Sequence, residues 1–342
     1  MKRLDLEFYI GYKKIPIIWI FKRVDLSITE ATDDLGGCPV DSAVDHSDDQ
    51  LERMARQLEA SGRYRILRRI EQGARPQSPP ECSTKRAIFL DVETTGLDVE
   101  SDEIVELAMV PFDYDEEGKV RSILPPFSAL RDPGRPIPAA VTALTGLTEE
   151  MVAGRTIEVG EVRDFLKQTA LVVAHHAAFD RRFCERFCGA FADLPWACSL
   201  TEVPWSDEGF EGSRLTHLAN GHGLYFDGHR AVHDCMAGIE ILSRRLPRCG
   251  RTGLAVLLES ARAPRWRVWA TGSPYELREL LKRRGYRWND GTDGRPKSWY
   301  ADVSNEFLEA ESEFLRYEIY RRSDVDILSR RITAYDRYSD RV

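Results

Sequence analysis

The chain has 342 residues, a formal net charge of −8, 42% hydrophobic residues and 30% charged residues. These values are typical of a folded globular protein and argue against a disordered chain. The acidic balance argues against non-specific coating of nucleic acid by a basic surface, although it does not exclude an enzyme that grips phosphates through bound metals.

The cysteines and the apolar segments indicate the compartment. Seven cysteines without a CxxC pair do not form a recognisable disulfide framework and fit a reducing cytosol. The longest apolar stretch, residues 15–21, is far shorter than the roughly 20 residues that a membrane-spanning helix requires. We therefore expect a cytoplasmic protein that makes no contact with membranes.

The order of patterns predicts three segments. Residues 1–84 form an N-terminal extension and linker, residues 85–248 a central α/β domain, and residues 249–342 a small accessory α+β domain. Ser47 and Gln50 have the spacing of a capping box, which predicts a helix from near Asp48 to about Ala60. A second helix is expected through Tyr64, Leu67 and Ile70, before a proline-rich linker at 73–83.

The central domain is predicted to contain a mixed five-stranded sheet flanked by helices. Three strands with short connections form an antiparallel meander at 87–93, 103–112 and 120–130, the last an edge strand interrupted by Pro125 and Pro126. Two later strands, at 171–174 and 196–200, alternate with helical patterns. The predicted helices lie at 137–144, 159–168, 178–191, 215–221 and 231–246.

Two carboxylates stand at the end of the first strand. Asp91 and Glu93 are two residues apart, so in a strand they project from the same face, while Leu90 and Val92 face the other way. Two close carboxylates in apolar surroundings raise each other's pKa unless a cation lies between them. A divalent metal is the cation that this pair favours.

Two more carboxylates and a histidine occur at helix starts. Asp180 lies in the first turn of a helix after the fourth strand, where an ordinary helix-dipole interaction is the alternative role. Asp234 lies in the first turn of the last helix of the domain. His229 is five residues earlier, a spacing that would put the two side chains on different faces of one helix. It is therefore expected in the preceding loop, on the same side as Asp234, where Gly228 gives the loop freedom. An exposed loop histidine without function is the alternative.

Taken together, these segments resemble the DEDDh exonucleases, a branch of the ribonuclease H-like fold that includes the epsilon proofreading subunit of bacterial replicative polymerase. Residues 91–96 match the family's first motif, residues 173–180 its second and residues 229–234 its third, so that the resemblance covers roughly 86–246. The related DEDDy branch has a tyrosine four residues before the last aspartate, where this chain has Arg230. Three ordered motifs are far more specific than any one of them.

The resemblance implies a two-metal mechanism. In the family, two Mg²⁺ or Mn²⁺ ions bind the positions of Asp91, Glu93, Asp180 and Asp234, with Asp91 reaching both ions. The position of His229 takes the proton from the attacking water, and imidazole titrates close to neutral pH, as a general base should. Two oxygen-ligated ions about 4 Å apart clamp the attacking and leaving oxygens of a phosphodiester.

Further positions are expected to contact substrate. The resemblance implies such a role for Thr94, Thr95, Gly96, Leu97, Thr145, Gly146 and His176. Leu97 has ordinary core packing as its alternative role. His176 replaces an asparagine common in the second motif, and Cys198 stands where the family often has an aspartate, so both departures bear on substrate preference and leave the catalytic positions intact.

The C-terminal segment is basic and aromatic. Residues 261–300 contain ten arginines and lysines against four acidic residues, with four tryptophans and several tyrosines interleaved. This composition suits single-stranded nucleic acid, and the alternative is a small domain with a tryptophan core. Residues 274–284 are predicted as a helix, 295–303 as a strand, and 307–338 as an amphipathic helix available to a partner.

We therefore predict a metal-dependent 3′-to-5′ exonuclease that prefers DNA and releases nucleoside monophosphates in repair or proofreading. Its expected partners are single-stranded or frayed DNA 3′ ends and a DNA polymerase or repair complex. An exoribonuclease of the ribonuclease T or oligoribonuclease type shares the motifs and is the first alternative. The second is a nucleic-acid-binding module without catalysis. The sequence does not indicate the oligomeric state.

Overall fold

A computed structural model of the protein describes residues 48–71, 83–292 and 294–341. The chain divides into two compact units, Met1–Met54 and Ala55–Val342. Helix α1 (Asp48–Ala60) begins where the capping box predicts it. The rest of the predicted N-terminal extension before Asp48 and most of the predicted linker lie outside the described residues. No helix within the described ranges is long and apolar enough to cross a bilayer.

The second predicted helix, through Tyr64, Leu67 and Ile70, is wrong. The chain is irregular there and contains a two-residue strand, β1 (Arg68–Arg69), which pairs in parallel with Leu224 and Tyr225. Ile70 is buried in the core. Helical spacing of apolar residues cannot distinguish a helix from a chain that is held by pairing with a distant segment, because the deciding hydrogen bonds are not local.

The central domain is built on a six-stranded mixed sheet. Its strands are β2 (Lys85–Thr94), β3 (Ile104–Tyr114), β4 (Val120–Ile123), β5 (Phe127–Leu130), β6 (Leu171–Ala174) and β7 (Trp196–Cys198). The spatial order is β4-β3-β2-β6-β7, and β5 also pairs with β3. Strand β3 is antiparallel to its neighbours β2, β4 and β5, whereas β6 and β7 run parallel to β2. The predicted fold class is confirmed. The single edge strand expected at 120–130 is two strands, because Pro125 and Pro126 lack the N–H groups that a continuous ladder needs.

Helices cover both faces of this sheet. They are α2 (Ala139–Thr145), α3 (Glu149–Val152), α4 (Val159–Leu166), α5 (Ala177–Phe187), α6 (Leu215–Gly221), α7 (Ala231–Ser243) and α8 (Gly253–Arg262), and a short strand β8 (Leu224–Tyr225) precedes α7. Phe89 and Val110 pack in one core with residues of α7 and α8, whereas Leu90 and Met109 pack in another with residues of α4 and α5. Helix α8, placed by the sequence in the accessory domain that begins at 249, thus contributes to the core of the central sheet.

A second, four-stranded sheet follows. Its elements are β9 (Arg265–Ala270), α9 (Arg278–Arg283), β10 (Arg287–Asn289), β11 (Ser298–Ser304), α10 (Leu308–Phe314) and β12 (Ser329–Ile332). The helix predicted over 307–338 is wrong beyond Tyr320. A π-helical stretch extends α10 to Tyr320, Arg321 adopts a left-handed φ of 53°, and the chain then returns to pair β12 with β9.

Candidate metal and active site

Strand β2 presents the first two carboxylates as its alternation requires. Asp91 and Glu93 point to the face that carries Phe89, and Leu90 and Val92 pack in the opposite core. Asp91 pairs in register with Ala108 of β3, and a register shift follows between Glu93 and Thr94. The strand therefore ends directly after the two carboxylates and leaves them at the edge of the core.

Close packing of α7 on β2 brings Asp234 to this pair. A Cβ on Gly238 would lie 2.1 Å from the Phe89 ring, so only glycine allows the helix to approach the strand this closely. Asp234 is four residues before Gly238 and lies on the same side of the helix. Because Asp91 is two residues after Phe89, the same approach sets Asp234 beside Asp91.

Asp180 reaches the site from the other side of the sheet. It lies in the first turn of α5 and is 2% exposed. Its Oδ1 accepts a hydrogen bond of 3.3 Å from the Val92 amide, which lies between Asp91 and Glu93 in the strand. The dipole at the start of α5 contributes to this carboxylate, but the bond to β2 fixes it next to the other acidic side chains.

His229 lies in the loop before α7, as predicted. It has a left-handed φ of 66°, a backbone conformation that histidine adopts more readily than most residues but that still costs free energy. Its side chain is exposed to solvent. Burial raises the pKa of Asp234, whereas the charge of His229 and hydrogen bonds from the backbone of His229 and Arg230 lower it, so the loop that carries His229 adjoins the acidic cluster.

The carboxylates form a site that fits a divalent cation. Oxygen atoms of Asp91, Glu93 and Asp234 all lie within 4.8 Å of one another. Carboxylate oxygens are the donors that Mg²⁺ and Mn²⁺ prefer. Without a cation, two unit charges at 4 Å oppose each other by about 4 kcal/mol at an effective dielectric of 20. The donor set and its charge are thus those of a metal site.

The pKa values of these carboxyl groups are raised, because the groups are buried and their negative charges lie close together. Burial raises the pKa of Asp91 well above its usual range, and the charges of Asp180 and Asp234 raise it further. Burial, followed by the charges of Asp234 and Glu106, raises the pKa of Glu93 to about 8. Burial also raises the pKa of Asp180, and the Val92 amide opposes that increase. In the absence of metal, the cluster therefore holds protons at neutral pH.

Glu106 is a residue of this site that the sequence analysis missed. It pairs directly with Glu93 across β2 and β3, and its side chain is 1% exposed. It accepts hydrogen bonds from the Arg230 guanidinium (3.1 and 3.3 Å) and from the Ala231 amide (3.3 Å). The signal in the sequence is a glutamate inside the apolar run 104–110, the same signal that identified Asp91.

Comparison with known proteins identifies the family. The sequence profile of the exonuclease family matches residues 88–242. The chain is 31% identical over 203 residues to DNA polymerase III subunit epsilon of Aquifex aeolicus, an alignment that covers 57% of this chain and 89% of that protein. The chain belongs to the DEDDh exonuclease family. The catalytic roles of Asp91, Glu93, Asp180, Asp234 and His229 stay predictions from the sequence.

Two other similar proteins are longer than this chain, and each alignment covers about half of it. The epsilon-like protein of Rhodobacter capsulatus is 34% identical over 211 residues, and the PolC-type DNA polymerase III of Bacillus subtilis is 38% identical over 175 residues. This chain spans 29% and 12% of their lengths. A solved structure of exonuclease X in complex with 5′ overhanging duplex DNA is 26% identical, with 51% of this chain and 99% of that chain covered and a TM-score of 0.38.

Three residues of the first DEDDh motif have structural contacts of their own. The buried Thr95 hydroxyl bonds to Asp102 (2.9 Å) and Arg135 (2.7 Å). A Cβ on Gly96 would lie 2.4 Å from the Asp102 carboxylate. The Thr94 hydroxyl donates to the Gly96 carbonyl at 2.5 Å. The turn after Glu93 is therefore held rigidly, and its predicted contact with substrate stays a prediction.

The other predicted substrate residues differ in exposure. Leu97 is 66% exposed, so it does not pack in the core, which was its alternative role. His176 is exposed at the start of α5, with its ring stacked parallel to Phe179. Thr145 and Gly146 end α2, and no hydrogen bond in the described part of the chain links them to the carboxylates. Their roles in substrate binding stay predictions.

The raised carboxylate pKa values predict how stability depends on pH. The unfolded chain releases the proton of Glu93 near pH 4.5, whereas the folded, metal-free protein keeps it until about pH 8. Protonation of Glu93 therefore stabilises the folded state fully below about pH 4.5, and this stabilisation is lost as the pH rises toward about 8. In EDTA, we expect the melting temperature to fall by several degrees between about pH 5.5 and about pH 8.5. Differential scanning fluorimetry measures this.

Magnesium should reverse that loss, because a cation replaces the protons. The increase in melting temperature on adding Mg²⁺ should be larger at about pH 8.5 than at about pH 5.5. An Asp91→Asn variant serves as the control and should show a smaller difference between the two pH values. An equal Mg²⁺ effect at both pH values in the unmodified protein would contradict the interpretation of the cluster.

The contacts of Glu106 predict a role in positioning. In a Glu106→Gln variant, the amide cannot pair with the Arg230 guanidinium on both oxygens, so the loop that carries His229 loosens. We expect kcat for hydrolysis to fall by about 10- to 100-fold, the range for residues that orient metal-site side chains. Asp113→Asn, which breaks the ion pair of the same strand with Arg86, is the control. Full kcat in Glu106→Gln would rule out this role.

Proposed function

We propose that this chain is a metal-dependent 3′-to-5′ exonuclease that acts on DNA and releases nucleoside monophosphates in DNA repair or proofreading. The observation that carries the proposal is the meeting of four carboxylates, from β2, α5 and α7, beside one histidine. The family relationship supports the reaction class. The names of the relatives, which include subunits of DNA polymerase III, support DNA as the substrate.

The carboxylates would divide between two Mg²⁺ or Mn²⁺ ions. Asp91, Glu93 and Asp234 have oxygens close enough to share one ion. Asp180, which is bonded to β2 between Asp91 and Glu93, would hold a second ion together with Asp91. When bound, such ions lower the pKa of a water and neutralise charge on the phosphodiester.

The loop before α7 would supply the group that accepts a proton and the contacts that orient a carboxylate. His229 is the candidate general base, because its exposed ring stands beside Asp234 without being buried by the helix it precedes. The Arg230 amide donates to Asp234 Oδ2 at 3.2 Å, so the backbone of the same loop orients a metal-binding carboxylate. Glu106 fixes the loop by its bonds to Arg230 and Ala231. One loop thus couples the base to the carboxylate cluster.

Two exposed leucines suit the terminal nucleotide. Leu97 follows the rigid turn after β2, and Leu144 lies near the end of α2 with 57% exposure. Apolar side chains this exposed are candidates for contact with a partner surface. We propose that Leu97 packs against the last base of the strand, which would set the 3′ end at the carboxylates.

The test is a comparison of labelled ends. The full chain is incubated with Mg²⁺ and with single-stranded and duplex DNA labelled at the 3′ or the 5′ end, and with RNA of the same sequences. We expect immediate release of a labelled mononucleotide from 3′-labelled DNA and a gradually shortening ladder from 5′-labelled DNA, both abolished by EDTA. Immediate release of mononucleotide from the 5′ label, without a ladder, would overturn the polarity. Faster hydrolysis of RNA would favour the exoribonuclease alternative.

A further inference from the structure

The C-terminal sheet has a topology that leaves one of its faces without a helix of its own. The chain order is β9-α9-β10-β11-α10-β12, the spatial order is β12-β9-β11-β10, and the paired strands are antiparallel. This is the split βαβ arrangement of ferredoxin-like domains. Val268, Ala270 and Ala301 pack in a core with residues of both helices, among them Leu281 and Leu315. By strand alternation, the neighbouring side chains point to the opposite face.

The opposite face is centred on Tyr300. Three guanidinium groups lie over its ring, with distances to the ring centroid of 4.8 Å for Arg267, 4.9 Å for Arg287 and 6.0 Å for Arg295. Asp302 accepts two bonds from Arg267, of 2.7 and 2.9 Å, and one of 3.3 Å from Arg287. The carboxylate therefore orients two guanidinium planes around the tyrosine before any ligand arrives.

This face carries an excess of positive charge. Arg330 pairs with Arg267 across β12 and β9 and points the same way. Its side chain is exposed, and the described residues provide no ion-pair partner for it. Arg287 is still 62% exposed despite its contact with Asp302. Among the strand residues that point to this face, Asp302 is the one acidic residue. We call the set of Arg267, Arg287, Arg295, Tyr300 and Arg330 the arginine face.

We propose that the arginine face binds single-stranded DNA. Phosphates would add negative charge to a face whose strands carry several arginines and one acidic residue, and bases stack on tyrosine rings and guanidinium planes with about 1 to 3 kcal/mol per base. RNA-recognition motifs, which are four-stranded sheets, bind single-stranded RNA by stacking bases on aromatic residues of the sheet. The inference rests on the proposed function for the choice of DNA as the polymer.

Two adjacent arginines provide a matched test. Arg330 points to the arginine face, whereas Arg331, the next residue of β12, is also exposed and points to the helical side. Arg330→Glu and Arg331→Glu therefore change the net charge identically. Fluorescence anisotropy with a labelled oligo(dT) of about 20 nucleotides, in EDTA to prevent hydrolysis, measures affinity for the full chain and both variants.

We expect Arg330→Glu to bind about 10-fold more weakly, with a shallower dependence of log K on log salt by at least about 0.7, and Arg331→Glu to remain within about twofold of the unmodified chain. Tyr300→Val, which keeps a β-branched residue in the strand, should also weaken binding about 10-fold. Equal losses in both arginine variants, or full affinity in Arg330→Glu and Tyr300→Val, would overturn the proposal. Tighter binding of oligo(U) than oligo(dT) would overturn the choice of DNA.

Measuring hydrolysis beside binding distinguishes a failure of this inference from a failure of the proposed function. Arg331→Glu, whose side chain points away from the arginine face, should hydrolyse oligo(dT) at the unmodified rate. Binding that depends on Arg330 in a chain that hydrolyses no strand would support the arginine face and contradict the nuclease assignment. Hydrolysis by a chain whose binding does not depend on Arg330 would support the nuclease assignment and contradict the arginine face.

Discussion

An Asp91→Asn variant is expected to lose hydrolysis of DNA ends by at least about 10³-fold. Asp91 is the carboxylate that would contact both ions, and asparagine keeps its shape while it removes the charge. The same change should leave the fold intact, because burial and four neighbouring carboxylates already raise the pKa of Asp91. Release of mononucleotide from 3′-labelled DNA measures the loss, and the melting temperature in EDTA should be unchanged or higher.

Glu100→Gln is the matched control for this variant. Glu100 is an exposed carboxylate in the turn that follows β2, so the substitution removes the same charge outside the cluster. We expect activity within about twofold of the unmodified chain. An Asp91→Asn variant that retained a tenth of the activity would contradict a mechanism that depends on metal at this carboxylate.

An Arg337→Met variant is expected to lose about 3 to 5 kcal/mol of unfolding free energy. Arg337 and Glu202 are an almost fully buried ion pair at 3.0 Å, with side chains 5% and 0% exposed. The arginine also donates to the carbonyls of Ser260 and Ala263. Removing it leaves the Glu202 carboxylate buried without its cation. Urea unfolding, with the slope checked for a two-state transition, measures the change.

A double variant shows whether the pair itself is responsible. Arg337→Met combined with Glu202→Gln removes both charges and should recover part of the lost stability. Arg331→Met, at an exposed arginine of the nearby strand, should change stability by less than about 0.5 kcal/mol. If the double variant were less stable than Arg337→Met, the buried unpaired charge would not be the cause.

The C-terminal segment after β12, which contains Arg337, also holds α5, the helix that carries Asp180. Arg181, the next residue of α5, is fully buried and donates to the carbonyls of Ala334, Tyr335 and Arg337 at 3.2, 2.8 and 2.7 Å. A buried guanidinium needs such acceptors. The C-terminal segment is therefore part of the structure that fixes α5 beside β2, and a loss of Arg337 should also disturb the position of Asp180.

The locations of Asp91, Glu93, Asp180, Asp234 and His229 in their strand, helices and loop were predictable because each residue obeys a local rule. The two-residue spacing of Asp91 and Glu93 fixes their common face in any strand. Asp180 and Asp234 lie in first helical turns that hydrophobic periodicity locates well. His229 follows a glycine directly before such a turn. What local rules could not provide was the distance between these segments, which depends on the approach of Gly238 to Phe89.

The errors lie where distant segments decide the structure. The chain near Tyr64 and Ile70 has helical spacing, but hydrogen bonds to Gly223 and Tyr225 hold it extended. The residues after Tyr320 also have an amphipathic pattern, yet β12 pairs with β9 and the tail carbonyls bind Arg181. Glu106 was missed because strand alternation was applied to β2 and not to its partner β3. Pairing Glu93 with Glu106 would have required the register between the two strands.

The most direct test of the cation cluster is anomalous X-ray scattering from crystals of the full chain grown with Mn²⁺ and a nucleoside monophosphate. We expect two Mn²⁺ peaks about 4 Å apart, one bound by Asp91, Glu93 and Asp234 and the other by Asp91 and Asp180. Crystals of Asp91→Asn should lack at least one peak. Mn²⁺ bound elsewhere, with none at Asp91, would contradict the assignment of these carboxylates as the catalytic metal site.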